Sequence, residues 1–320
     1  MRFLNPKTDF AFKKIFGSKE SGDVLLSFLN AMLSLQPPNL ITAVQILDPY
    51  LAPKIQGMKD TYLDIQVEDQ QDRHYIIEMQ VLNVAGLEKR ILYNACKTYA
   101  NQLQQGEKYD RLTNVVAITI TDFIMFGELA DQVTRFMLRA AANPEITLDD
   151  LELVFAELPK FHKQEEQLES IEDKWFYFLK YAGDLKMVPK ILAEEPAIRK
   201  AFELANKAAL TPEELDDQER REIFIQDQRG AIQFAERKGR QEGRQEGRQE
   251  GRQEGQREGM AKVLTNLLQR RFGAVPTWAS AKIAQADLAA LEEWTGRMLD
   301  TLTLESLFAD RADTPPGDKG

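Results

Sequence analysis

The alternation of apolar and polar residues over positions 62–81 predicts a β-hairpin. A period of two is typical of a half-buried strand, and in the first strand polar residues alternate with Leu63, Ile65 and Val67. The polar run at 69–72 predicts the turn. The second strand is expected from about 74 to 81, and it is apolar on both faces except at Glu78 and Gln80.

The other periodic segments predict an α/β protein with the element order α-β-β-β-α-β. Residues 7–33 have the apolar spacing of an amphipathic helix that breaks near Gly17 and Gly22. The order is completed by a strand near 41–47, the hairpin, a helix over 87–103 and a buried strand over 113–120. Residues 151–158 are a further candidate strand.

The expected helix at 87–103 has two stripes of residues. The apolar stripe, which we expect to face the core, consists of Leu92, Ala95, Tyr99 and Leu103. The polar stripe, which we expect on the opposite side, consists of Arg90, Asn94, Lys97 and Asn101. A solvated surface is the ordinary interpretation of such a polar stripe.

Two polar side chains on the second hairpin strand are candidates for chemistry. Glu78 and Gln80 lie two residues apart, so they project from the same face of the sheet. If the register also places Asp64 on that face, two carboxylates and an amide lie side by side between aliphatic residues. Burying carboxylates is costly unless a positive group compensates, and a hard divalent cation is the obvious one. The competing interpretation is the wet face of an ordinary hairpin.

Composition narrows the classes of protein to be considered. The chain has 320 residues, 43% of them hydrophobic, which allows two domains and a packed core. One cysteine excludes an internal disulfide and a cysteine-based zinc cluster, and only two histidines argue against a multi-histidine metal centre. With no signal peptide and no apolar run long enough for a bilayer, we expect a soluble, cytoplasmic protein without a membrane partner. The net charge of −10 weakens a nucleic-acid role without excluding it, because DNA binding requires only local positive charge.

The second half of the chain is helical in pattern and contains a repeat. Thr211-Pro212-Glu213-Glu214 has the residues of a helix start. The tetrapeptide Gly-Arg-Gln-Glu then recurs from position 239, and a permuted copy precedes Gly259. A period of four is close to the helical 3.6, so the glycines form a drifting stripe. Interior glycines and like charges at i, i+4 disfavour an isolated helix, so we expect either a homodimer contact between helices or a linker.

Several motifs, in the same order, resemble a known family. The segments L-D-I-Q-V-E-D and I-I-E-M-Q, a carboxylate followed after a hairpin by Glu-x-Gln, resemble the signature of the PD-(D/E)XK nuclease superfamily. They are most similar to its recombination-promoting nuclease and transposase (Rpn) branch, and so is the opening T-D-F-A-F-K-K-I-F. The resemblance covers most of residues 1 to about 240, with further matches at 158–161, at 175–179 and at Arg90, Tyr93, Tyr99, Gly106 and Tyr109.

The resemblance implies a fold and a domain plan. A restriction-endonuclease-like core with a mixed central sheet flanked by helices is expected over 1–165, followed by a helical extension over 166–237. The tetrapeptide repeat, as helix or linker, occupies 238–259, and a small helical C-terminal domain occupies 260–308. That domain resembles a module of unknown function that often accompanies such nucleases. A disordered tail is expected over 309–320.

The resemblance also implies a Mg²⁺-dependent DNA endonuclease, with Mn²⁺ as an alternative ion. Asp64, Glu78 and the Met79 carbonyl are the expected metal ligands. Gln80 is expected to orient the attacking water, and it stands where the superfamily usually has lysine. Asp9 and Lys13 share one stripe of the first helix and are expected to border the metal, although a surface ion pair is the ordinary alternative. Lys13 is then our candidate for the missing positive charge.

Partners follow from the same resemblance. Arg90 and Lys97 are expected to contact DNA phosphates, because the superfamily fold places their helix beside the site. The family name implies a role in recombination or transposition, and RNA remains an alternative substrate. The rival from another class is a catalytically silent scaffold that assembles through the repeat and the C-terminal module. The missing lysine and the acidic charge favour the scaffold, whereas the retained acidic and amide residues of the hairpin favour the enzyme.

Overall fold

A mixed six-stranded sheet forms the centre of the first part of the chain in the computed structural model, which describes residues 2–51 and 61–309. The strands are β1 (Val44–Leu47), β2 (Tyr50–Leu51), β3 (Thr61–Tyr62), β4 (Ile65–Asp69), β5 (His74–Gln80), β6 (Val115–Thr121), β7 (Val133–Ala140) and β8 (Asn143–Glu157). The order across the sheet is β1-β4-β5-β6-β8-β7, while β2 and β3 form a separate pair. β5, β6 and β8 are parallel, and the other neighbours are antiparallel.

The helices are α1 (Asp9–Phe16), α2 (Gly22–Met32), α3 (Leu87–Asn101), α4 (Ile171–Tyr181), α5 (Lys190–Ala193), α6 (Pro196–Leu204), α7 (Pro212–Phe272), α8 (Thr277–Gln285), α9 (Leu288–Arg297) and α10 (Leu304–Phe308). The predicted start of α7 is confirmed, because the Thr211 backbone N–H donates to Glu214 Oε2 (2.9 Å) and the Glu214 N–H donates to Thr211 Oγ1 (3.2 Å). This reciprocal cap satisfies two donors that a helix start otherwise leaves unpaired.

The two faces of the sheet are covered by different helices. One face packs against α1, α2, α4 and α6, in a core that includes Phe12, Phe28, Trp175 and Ile77. On the other face Ile76 packs with Ala95 of α3. Because side chains alternate along a strand, Glu78 follows Ile76 onto the face that α3 covers. The polar residues of β5 therefore lie between the sheet and one helix.

The expected α/β fold and the order α-β-β-β-α-β are confirmed, with two local differences, at β7 and at β8. The helix predicted over 7–33 is interrupted, as expected, between α1 and α2. β7 was not predicted, because its residues are largely exposed and lack a period of two. β8 begins eight residues earlier than the strand expected from 151, since its first half pairs only with β7 and carries exposed side chains.

The second compact unit begins at Ala231, inside α7. Its small core joins Leu264 and Leu268 of α7 to apolar residues of α8, α9 and α10, among them Ile283, Leu291 and Phe308. The tetrapeptide repeat lies within α7 and is exposed except at Arg257, which is half-buried and donates to the Ala284 carbonyl (3.1 Å). The predicted tail falls outside the described residues except for Ala309.

Candidate active site

The register of the β4–β5 hairpin brings Asp64 and Glu78 together. Ile65 pairs with Ile77, so the next position outward along this antiparallel pair joins Asp64 to Glu78. Directly opposite residues project to the same side of a sheet. Both carboxylates line one cleft of about 980 Å³, together with Met79 and Gln80.

Asp64 has few partners for a mostly buried carboxylate. Its Oδ2 accepts a hydrogen bond from the Met79 backbone N–H (3.0 Å), and its Oδ1 lies 3.6 Å from Lys13 Nζ. Burial raises the pKa of Asp64 to about 6, and repulsion from Glu78 acts in the same direction. The Met79 hydrogen bond and the Lys13 charge oppose this shift without cancelling it.

Glu78 is only 6% exposed and is held by two amides. Its Oε1 accepts from Asn94 Nδ2 (3.0 Å), and its Oε2 accepts from Gln80 Nε2 (3.1 Å). Gln80 Oε1 in turn accepts from Arg90 Nη2 (2.6 Å). Burial raises the pKa of Glu78 although these amides and the Arg90 charge favour the ionised form. The negative charge of the pair is therefore incompletely compensated.

Helix α1 places a positively charged side chain, that of Lys13, near Asp64. Lys13 Nζ lies 2.7 Å from Asp9 Oδ1, and Asp9 Oδ2 lies 2.7 Å from Arg221 Nη1 of α7. Partial burial acts to lower the pKa of Lys13, but its contacts with Asp9 and Asp64 hold that pKa above the usual value. Lys13 is thus a charged ammonium 3.6 Å from the Asp64 carboxylate.

The structure places the polar stripe of α3 differently from the expectation. Leu92 was expected in the core but is 45% exposed, whereas Asn94 and Lys97 are buried. Lys97 Nζ donates to the Leu51 carbonyl (2.8 Å) and to Thr61 Oγ1 (3.3 Å). The expected contact of Lys97 with phosphate is therefore not supported, because a lysine that is 4% exposed and bonded inside cannot reach a ligand without giving up those bonds. Arg90, by contrast, is exposed and lines the cleft.

A family model for the PD-(D/E)XK nuclease family transposases matches residues 6–235. The chain belongs to this family. A search of curated proteins and a search of solved structures each returned no match. The matched range contains the whole sheet, the cleft and the start of α7, and it ends before the tetrapeptide repeat.

The donor groups of this PD-(D/E)XK site suit a hard cation. PD-(D/E)XK nucleases generally use divalent metals. Among residues 2–51 and 61–309 no three histidine, cysteine, aspartate or glutamate side chains cluster as a metal site of their own. Mg²⁺ keeps several waters and is commonly held by one or two carboxylates, so a pair such as Asp64 and Glu78 would be enough to hold it. Their raised pKa values indicate unmet negative charge, which a divalent cation would satisfy.

Two residues that contact candidate site residues were not singled out from the sequence. Asn94 was placed on the polar stripe of α3, but its bond to Glu78 was not foreseen. Its position four residues after Arg90 is a usable signal, because both side chains then share one face of the helix. Arg221 lies 212 residues from Asp9, and no local pattern connects the two.

Among the described helices, none has the combination of length and apolar character that a membrane crossing requires.

Proposed function

We propose that the protein is a Mg²⁺-dependent DNA endonuclease that hydrolyses phosphodiester bonds. The observation that carries this proposal is the pair Asp64 and Glu78, two mostly buried carboxylates with raised pKa values that face one cleft. Membership of a nuclease family supports hydrolysis as the reaction. Mn²⁺, which shares the preference of Mg²⁺ for oxygen ligands, is the expected alternative ion.

Asp64, Glu78 and the Met79 carbonyl are the groups that would hold the ion. When bound, Mg²⁺ lowers the pKa of a coordinated water and stabilises charge on the scissile phosphate. The protein supplies the rest of the chemistry. Asn94 and Gln80 fix the orientation of the Glu78 carboxylate, so its geometry is set before substrate arrives.

Gln80 and Lys13 divide the role that lysine has in the superfamily pattern. An amide orients a water molecule by hydrogen bonding, but it cannot carry positive charge or accept a proton at neutral pH. Lys13, whose Nζ lies 3.6 Å from Asp64, supplies the charge that stabilises the developing negative charge at phosphate. Asp9 acts as a positioning residue, because its carboxylate holds the Lys13 ammonium at 2.7 Å.

Cleavage of supercoiled plasmid by the purified chain tests the proposal. Nicking is expected with Mg²⁺ and not with EDTA, and Asp64→Ala is expected to abolish it. Glu88→Ala is a matched control, because Glu88 is an exposed acid of α3 that does not line the cleft. Full activity of the Asp64→Ala variant, or equal loss in both variants, would remove the assignment.

We also propose that this cleavage serves recombination or transposition of mobile DNA. The support is the family itself, which is described as a nuclease family transposase. A cell-based assay that counts recombinants between two marked DNA molecules is the direct test. Recombination is expected to rise with expression of the native chain and to stay at background with Asp64→Ala.

A scaffold without catalytic activity is the second candidate, and one observation favours it. Gln80 stands in place of lysine and is bonded on both sides, to Glu78 and to Arg90, which also describes a stable polar cluster. Titration calorimetry with Mg²⁺ and with Mn²⁺ separates the two candidates. A nuclease binds at least one ion, whereas heat of dilution alone would favour the scaffold.

We propose that the tetrapeptide repeat forms a homodimer contact. A Cβ placed on any of the six repeat glycines meets nothing within 4 Å in the chain, so this stripe leaves room for a second helix. Arginines and glutamates form separate stripes on opposite sides of the glycines and offer opposite charges to a second copy. Replacing the six glycines with serine preserves helix propensity and obstructs close approach. Halved mass in light scattering is expected, and unchanged mass would contradict the contact.

A further inference from the structure

Tyr62 is a large aromatic residue that remains 73% exposed on the wall of the cleft. Its neighbours Thr61 and Leu63 are buried, so Tyr62 and Asp64 emerge together on the other side of the chain. Both residues line the cleft, two positions apart along the chain. The Tyr62 side chain is therefore in the same cleft as the two carboxylates of the candidate site.

Tyr50 supports this ring from one side. β2 and β3 pair so that Tyr50 lies opposite Tyr62. The two rings stack with their centroids 4.8 Å apart and an angle of 29° between their planes. A cross-strand aromatic pair of this kind restricts the orientation of both rings. Tyr62 is thus held in place while most of its surface stays open to a ligand.

Positive side chains line the same cleft. Lys89 and Arg90, near the start of α3, are both exposed. The contact of Arg90 with Gln80 uses one guanidinium nitrogen, which leaves further N–H donors for a phosphate oxygen. An exposed, supported aromatic ring next to such cations is the combination found in grooves that bind single-stranded nucleic acid.

We propose that Tyr62 stacks on a nucleobase and that the preferred substrate is DNA whose nucleotide beside the scissile phosphate is unpaired. This inference rests on the proposed endonuclease function. In an intact duplex the faces of each base are covered by neighbouring bases, so the ring can stack only on a base that is already unpaired or is displaced. A duplex would meet the cations of the cleft without using the ring.

Equilibrium binding of a labelled single-stranded oligodeoxynucleotide to the full chain in EDTA measures the stack apart from hydrolysis. Tyr62→Ala is expected to weaken this binding by about 5-fold to about 100-fold, the range for one stacked base. Tyr62→Phe is expected to bind like the native chain, because phenylalanine keeps the ring. Binding of the matching duplex is expected to be equal in all three proteins.

Tyr109→Ala is the matched control, because Tyr109 is 83% exposed and lies outside the lining of the cleft. Its binding and its circular dichroism spectrum are expected to equal those of the native chain, as is the spectrum of Tyr62→Ala. Absence of single-strand binding by the native chain, unchanged binding by Tyr62→Ala, or equal losses for single strand and duplex would overturn the proposal. A Tyr62-dependent preference for RNA of the same sequence would overturn the assignment of DNA.

The stacking site and the endonuclease function fail separately in these experiments. Weakened binding by Tyr62→Ala in EDTA supports the stacking site even where no plasmid is nicked. Nicking that depends on Asp64, combined with unchanged binding by Tyr62→Ala, keeps the endonuclease and removes the stacking site.

Discussion

Two aspartates at opposite ends of β4 are both largely buried, and they differ in what surrounds them. Asp69 accepts four hydrogen bonds, from the backbone N–H groups of Gln71 and Arg73, from Arg73 Nε and from the Tyr75 hydroxyl. Asp64 accepts one, from the Met79 N–H, and its cation is 3.6 Å away. Burying a carboxylate is costly in proportion to the partners it lacks. The Asp69 carboxylate is thus fully satisfied by neighbouring groups, whereas the Asp64 carboxylate keeps acceptor capacity that the proposed cation would use.

Conservative replacement of each aspartate is expected to produce opposite results, and this is the largest effect that the comparison predicts. Asp64→Asn should lower the rate of plasmid nicking by at least about 100-fold, because the anchor for the cation loses its charge. Its free energy of unfolding should not fall. Asp69→Asn should keep the nicking rate but lower the free energy of unfolding by about 2 kcal/mol, since charged hydrogen bonds are lost.

Nicking rates and urea unfolding curves of both variants check this crossed pattern. If Asp69→Asn were to lose cleavage without losing stability, the distinction between the two aspartates would be wrong. If Asp64→Asn were to unfold more readily than the native chain, Asp64 would be structural as well.

Replacing Lys13 tests the comparison further, because its ammonium is the cation near Asp64 but lies 3.6 Å from the carboxylate. Lys13→Gln should reduce nicking by about 100-fold, the effect of removing one charged group that stabilises a transition state. Lys14→Gln is the control on the adjacent residue, whose Nζ is paired with Glu214 (2.9 Å) instead. Single-turnover rates at saturating DNA separate this loss from weaker binding. Equal rates in the two variants would reassign Lys13 to the helix surface.

The pH dependence of stability tests the unmet charge of Asp64 directly. Burial raises the pKa of Asp64 from 3.8 to about 6, so in the folded state it keeps a proton that the unfolded chain has already lost. The contribution of Asp64 to the free energy of unfolding is fully present below pH 3.8 and is lost as the pH rises through about 6. The loss is ~3 kcal/mol, since one pKa unit is about 1.4 kcal/mol.

Urea unfolding in EDTA at several pH values, for the native chain and for Asp64→Asn, isolates this contribution. The difference in free energy of unfolding between the native chain and Asp64→Asn should change by ~3 kcal/mol from about pH 4 to about pH 7. A constant difference would mean that groups other than the Met79 N–H and Lys13 compensate the charge of Asp64.

The same comparison explains how much of the molecule the sequence could predict. The Asp69 cluster spans residues 69–75, so its hairpin was predictable from local alternation and turn residues. Glu78 and Gln80 were placed on one face for the same reason. Asp64, by contrast, has a distant neighbour in Lys13 of α1, which only the family resemblance suggested, and Asn94 was misread because α3 turns part of its polar stripe inward. A helix that covers a polar site reverses the usual meaning of a polar stripe, and only the packed structure shows it.

Arg221 gives the smallest expected effect, and it extends the contrast between local and distant partners. The ion pairs run from Asp64 to Lys13, to Asp9 and on to Arg221 of α7, whereas every side-chain partner of Asp69 lies within six residues of it. Arg221→Gln should therefore lower the turnover rate by about fivefold, as expected for about 1 kcal/mol of lost positioning. The KM for DNA should not change, because Arg221 does not line the cleft.

Arg220→Gln is the control for this prediction, since Arg220 donates to the Asp216 carbonyl of its own helix. Combining Arg221→Gln with Asp9→Asn should add nothing to the loss caused by Asp9→Asn alone, because both changes act through Lys13. Additive losses would show that Arg221 acts by another route. The start of α7 would then only pack against α1, and the ion pairs that affect Asp64 would end at Lys13.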